Sequence, residues 1–175
     1  MRLVNDMNVL LVDGYNIIGA WDELKILKDH DLAQARDLLV EKMAEYQAYT
    51  GNRVIVVFDA YYVRGLEHKH KDYKVEVIYT KEKETADECI ERLIKDLKNV
   101  KTQVYVATSD YTEQRTIFAQ GALRKSAREL YIETNNIEKQ IEEELENHKK
   151  IQSASKIPIK KEVLEVFEKW RRGDK

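Results

Sequence analysis

The sequence predicts an α/β fold, with a mostly parallel central sheet flanked by helices and a C-terminal helical extension, on three observations. Short β-branched or aromatic runs at Val9–Val12, Val54–Phe58, Val75–Tyr79 and Val104–Ala107 have the composition of strands buried on both faces. Helical stretches alternate with these runs, which implies right-handed crossovers and parallel pairing. Finally, Asp13, Asp59, Asp87 and Asp110 fall where a run ends or the next helix begins, and a parallel sheet delivers such positions to one edge.

The first run ends on Asp13, and Gly14 behind it permits a tight turn or a close backbone approach that a side chain would obstruct. Asp31 to Tyr49 carries Leu32, Ala35, Leu39, Met43 and Tyr46 on one stripe, with Gly51 as the helix stop. After the second run, Arg64, His68, Lys69, His70, Lys71 and Lys74 form a basic loop whose charge density predicts mobility. Thr85 with Glu88 makes a capping box opening a helix to about Asn99, and Asp110 with Glu113 reads as another helix start. Ser126 with Glu129 begins a long charged helix that runs close to Lys150. Pro158 closes a small, polar passage from Ser153, read as a linker. Beyond it, Val163, Val166, Phe167 and Trp170 at helical spacing predict a terminal helix docked by its apolar side. The expected organisation is one domain over 1–150, including the long helix, and a linker plus amphipathic helix over 151–175, packed on or near that domain.

A chain of 175 residues can bury a substantial core in one domain. Its 30 basic and 32 acidic residues leave a formal charge of -2, which excludes a protein that coats nucleic acid non-specifically and makes any RNA contact local. No apolar run approaches the roughly 18 to 20 residues that cross a bilayer. The first residues lack the small-residue cleavage site of a secretory signal, so a soluble, cytoplasmic protein without membrane attachment is expected. A lone cysteine, Cys89, forms no internal disulfide and fits a reducing compartment; its neighbours Ala86, Ile90, Leu93, Ile94 and Leu97 predict a packed thiol.

Any one of the aspartates is explained by helix capping, but gathering three or four of them is costly by mutual repulsion, which a stability role does not require. A divalent cation, magnesium or manganese, relieves that cost, favours oxygen ligands, and can activate water and clamp the leaving oxygen in an in-line displacement at phosphorus. Asn16, one helical turn beyond Asp13, can hydrogen-bond a phosphate oxygen or the attacking water. The reaction expected is phosphodiester hydrolysis by metal-bound water without a covalent enzyme intermediate. Phosphate loops of the GxxxxGK type and GxGxxG turns are absent, and His30, His68, His70 and His148 lack zinc-ligand spacing. Ser109 has no histidine at a credible base position and reads as a cap or phosphate contact. Two alternatives stay open on the residues alone: a metal-dependent nucleotide phosphohydrolase, and a non-catalytic RNA- or ribosome-binding factor whose acids are caps.

The motifs DGYN at 13–16, VFDA at 57–60, ETADE at 84–88, TSDYTEQ at 108–114, GALRKSAREL at 121–130 and FEKWRRGD at 167–174 span almost the whole chain. Together they resemble the YacP-like branch of the NYN domains, nucleases related to the PIN-like fold. The resemblance implies a bacterial metal-dependent endoribonuclease, and the best-understood branch acts on messenger RNA in the ribosomal A site during translation. It implies Asp13, Asp87 and Asp110 as metal-binding acids, Asn16 as an active-site polar group and Asp59 as a fourth acid, with Glu84 and Glu88 placed to assist. A nearly neutral nuclease attracts free RNA weakly, which fits a ribosome that presents the substrate. Candidate RNA or ribosome contacts are Arg64, Lys69, Lys71, Arg124, Lys125 and Arg128. Tyr61 and Tyr62 are either stacking partners for a base or partly packed core.

Overall fold

Val9, Leu10, Leu11 and Val12 are at most 3% exposed because the strand that carries them has a neighbour on each side and helices on both faces. The computed structural model describes residues 7–62, 74–154 and 161–173. In it β1 (Met7–Asp13), β2 (Arg53–Phe58), β3 (Glu76–Tyr79), β4 (Thr102–Ala107) and β5 (Leu123–Lys125) form one sheet in the order β3-β2-β1-β4-β5. Every neighbouring pair is parallel, with Val9 opposite Arg53 on one side and Val104 on the other. The helices are α1 (Gly14–Ala20), α2 (Asp22–His30), α3 (Leu32–Thr50), α4 (Ala86–Leu97), α5 (Gln114–Ala119), α6 (Ala127–Ala154) and α7 (Lys161–Arg172).

Alternation along the strands divides the core. Val9, Leu11, Ile55, Val57, Val104 and Val106 pack with Cys89, Ile90 and Ile94 of α4 and Ile117 of α5. Leu10, Val12, Val54, Val56 and Phe58 point to the opposite face, where Ile17, Ile18, Leu24, Leu39 and Met43 are also fully buried. Cys89 is the packed thiol its neighbours foretell.

Local chemistry sets the helix ends. The Asp31 carboxylate accepts from the N–H of Ala33 and Gln34, and α3 stops at Gly51, which takes the left-handed φ of 73° that favours glycine. Thr85 and Glu88 form the expected capping box on α4. Ser126 and Glu129 exchange the same pair of bonds, each 3.1 Å, at the start of α6.

Three elements lie outside the sequence expectation. β5 spans three residues, two of them basic, and reads as a charge cluster; α1 begins on a glycine without a side-chain cap; α2 lies in a mostly charged stretch. The helix expected from Asp110 begins later, at Gln114, because Asp110 bonds Thr112 in a turn instead.

The chain divides into two compact units, Met1–Glu138 and Lys139–Lys175. The second holds the end of α6 and all of α7, where the rings of Phe167 and Trp170 meet edge to face at 5.9 Å. The predicted linker around Pro158 and the basic loop with Arg64, Lys69 and Lys71 lie outside the described residues. Among the described residues no helix is long and apolar enough to cross a membrane.

Candidate metal centre at the carboxyl edge of the sheet

From β1 the chain builds outward through β2 and β3, then returns to lay β4 and β5 on the other side. Loops leaving β1 and β4 therefore diverge, and the crevice between them is where open parallel sheets place their ligand sites. Asp13, the last residue of β1, sits in that crevice and is only 8% exposed. Gly14 allows it: a Cβ there would collide with the Phe58 ring and come within 3.0 Å of the Val57 carbonyl oxygen. Close approach, not an unusual backbone angle, is the reason for this glycine.

Two further acids converge on Asp13. Asp87 stands in the first turn of α4, and Glu113 is the N-cap residue of α5. One carboxylate oxygen from each of Asp13, Asp87 and Glu113 can be chosen so that all three lie within 4.8 Å of one another. Burial, and next the charge of Asp87, push the Asp13 carboxyl up to about 7; Asp110 and Asp59 add to the effect, and the Asn16 N–H opposes it. Glu113 is pushed up to about 8 by burial, by its hydrogen bond with Asp87, and by the charges of Asp87, Asp13 and Asp110. Three carboxylate side chains brought this close form a hard oxygen donor set, and such a set fits a divalent cation.

The other expected residues surround this trio. Asp110 does not join it: its Oδ1 accepts from the Thr112 N–H at 2.8 Å and hydroxyl at 2.6 Å, and those bonds hold its carboxyl below the usual range. Asp110 is nevertheless near enough to raise both Asp13 and Glu113. Asp59 accepts from the Tyr61 N–H at 2.9 Å and acts on Asp13 by charge. The Asn16 amide oxygen accepts from the Ser109 N–H, tying α1 to the loop after β4 across the crevice, so its NH2 is the part left for a phosphate or water.

Neither expected assistant is free to serve. Glu84 pairs with Arg92 at 3.0 Å and accepts from the Lys81 N–H, while Glu88 is used in its capping box. Glu113 takes that place. The sequence hid it because an acid three residues after Asp110 reads as a capping partner; Thr112, two residues on, is the signal for the turn that forms instead.

Of the expected RNA contacts, Arg124 on β5 and Arg128 on α6 line a cleft beside the centre. Lys125 is committed elsewhere, bonding Glu133 at 2.8 and 2.9 Å and the Tyr46 hydroxyl at 3.4 Å. Tyr61 and Tyr62 are exposed rather than packed into the core, and Tyr62 meets Tyr15 edge to face at 5.1 Å.

The sequence profile of the YacP-like NYN domain matches residues 10–172. YacP of Bacillus subtilis (strain 168) is 61% identical over 168 residues, covering 96% of this chain and 99% of that protein. The crystal structure of Rae1 (YacP) from Bacillus subtilis superposes with a TM-score of 0.77 at 61% identity, over 96% of this chain and 97% of that one. A crystal structure of a tryptophan-to-leucine mutant of the same protein gives 0.73 at 57% identity.

Proposed function

The chain belongs to the YacP-like NYN domain family, a nuclease-type fold, and from that premise we propose that it is a metal-dependent endoribonuclease that hydrolyses messenger RNA during translation, at the ribosomal A site. The observation that carries this reading is the convergence of Asp13, Asp87 and Glu113 at the carboxyl edge of a parallel sheet. These three side chains would hold the cation, magnesium or manganese, which when bound supplies Lewis-acid stabilisation of the phosphate oxygens and lowers the pKa of water.

The chain's own groups supply position. The Asn16 NH2, fixed because its oxygen accepts from Ser109, orients a phosphate oxygen or the water beside Asp13. Asp110, held by Thr112, adds negative charge at the rim, which strengthens the pull on a cation and disfavours RNA in its absence. A formal charge of -2 gives little attraction for free RNA, so presentation of the message by the ribosome in the cytoplasm supplies the encounter.

The test compares wild type with Asp13→Asn and Glu113→Gln on end-labelled messenger RNA, with and without translating ribosomes, in magnesium, manganese or EDTA. Internal cuts that require metal and both acids, and that appear mainly on translated message, are expected. Equal cutting by Asp13→Asn, or release of inorganic phosphate from mononucleotides in place of internal cuts, would contradict the proposal.

A further inference from the structure

We propose that the cleft beside the metal centre is a subsite for the sugar-phosphate backbone of single-stranded RNA, in which Arg124 and Arg128 take a phosphate adjoining the scissile one. The proposal rests on the reading of this chain as an RNA hydrolase and assigns part of its substrate path.

The cleft has a volume of about 480 Å³, within the range that encloses a small ligand, and opens between the α1–α2 junction and the start of α6. It adjoins the metal centre through Ser109, which lines the cleft and whose N–H is held by Asn16, three residues beyond Asp13. Its wall is preformed. The Trp21 indole donates to the Ala127 carbonyl at 2.9 Å, and its ring meets Tyr131 edge to face at 5.5 Å, leaving Tyr131 partly exposed beside the opening.

Two arginines in this wall are poorly explained by stability. Arg124 lies over the Tyr111 ring at 5.3 Å, its Nε is buried without a hydrogen-bond partner, and among the described residues it makes no ion pair within 4 Å. The adjacent Lys125, whose side chain leaves the strand on the opposite face of the sheet, is by contrast engaged with Glu133 and Tyr46. Arg128 sits in the first turn of α6, where the helix dipole disfavours a cation. An anion bound between them answers both features: it gives the guanidinium forks an acceptor and meets the positive end of the helix. Among the described residues Asp22 is the one acid lining the cleft, and the charge of Arg124 also reaches Asp110. The phosphodiester of a single strand fits best because its neighbouring nucleotide can lie against Tyr131 while the chain continues past Ser109 to the acids.

The test titrates isotopically labelled full-length protein in EDTA with a short single-stranded oligoribonucleotide, following the Trp21 indole N–H and the Arg124 Nε–H by NMR, with manganese-dependent cleavage assayed in parallel. Saturable shifts of both resonances are expected. Arg124→Gln and Arg128→Gln should each weaken binding about tenfold and reduce the slope of log affinity against log salt by about 1, while Lys28→Gln, an equal charge change on α2, should do neither. Arg128 is exposed, so its variant keeps the test valid if the Arg124 variant folds poorly. Absence of shifts, shifts confined to residues away from the cleft, or wild-type affinity in both variants would overturn the subsite, whatever the cleavage assay reads. Cleft shifts combined with no metal-dependent cleavage of translated message on ribosomes would leave the subsite standing and overturn the hydrolase reading.

Discussion

Among the described residues charge is drawn inward at two contrasting places, one of them balanced and the other not. Between α3 and the first half of α6, Lys42 meets Glu138 at 2.7 Å and Glu23 at 3.1 Å, and Lys125 meets Glu133 at 2.8 Å. Burial alone would lower both ammonium groups, yet the hydrogen bonds they make outweigh it and raise them. At the carboxyl edge the trio of Asp13, Asp87 and Glu113 contains no positive member, and burial acts together with like charge. The first arrangement is complete within the polypeptide and serves stability. The second has no counter-charge of its own and could take a divalent cation, which makes it the candidate functional site.

The largest effect should separate the two regions outright. Asp13→Asn should lower RNA cleavage by at least about a thousandfold, since positioned electrostatics carries most of such catalysis. In EDTA at pH 8 the same change should stabilise the fold by about 2 kcal/mol, because it removes a buried charge whose pKa stands near 7. Thermal unfolding and single-turnover cleavage read the two consequences. Lys42→Met should do the reverse, costing about 1 to 2 kcal/mol, moderated by the exposure of Glu23 and Glu138, with cleavage per folded molecule unchanged.

Next in size is a comparison of neighbours. Glu113→Gln should weaken manganese affinity about tenfold or more, and Asp110→Asn by only a few-fold, because Asp110 contributes charge but is bonded to Thr112. Equal losses in a calorimetric titration would place Asp110 among the ligands.

A smaller effect lies in pH. The folded pKa values of Asp13 and Glu113, about 7 and about 8, lie above the ordinary carboxylate range near about 4. Native protein therefore keeps protons that the unfolded chain has lost, and the stability these groups contribute at low pH is lost as pH rises through that window. Melting temperature in EDTA should carry a component that falls between about pH 4 and pH 8, and Asp13→Asn should flatten it. The smallest change expected is at Lys83, whose φ of 68° is in the left-handed region: Lys83→Gly should stabilise by about 0.5 to 1 kcal/mol in chemical denaturation.

What the sequence disclosed followed the strength of its local signals. The four longer strands announced themselves by β-branched runs, α3 by its apolar stripe and the Gly51 stop, and α4 and α6 by capping boxes whose hydrogen bonds form as expected. β5 did not, because a three-residue edge strand holding Arg124 and Lys125 has no hydrophobic period to read. At the site, Asp13 and Asp87 were legible from strand end and helix start. Glu113 was not, since its place depends on the turn that Asp110 and Thr112 make, a choice between two uses of the same aspartate. That Lys125 is engaged while Arg124 is not was equally illegible, because it depends on Glu133 and Tyr46, which only the tertiary fold brings to that strand.

The most direct measurement is a calorimetric titration of the full-length protein with manganese near neutral pH, for wild type, Asp13→Asn and Glu113→Gln. Saturable binding in wild type, accompanied by proton release, lost in Asp13→Asn and weakened in Glu113→Gln, is expected. Binding of undiminished affinity in both variants would contradict it and remove the trio from the metal centre.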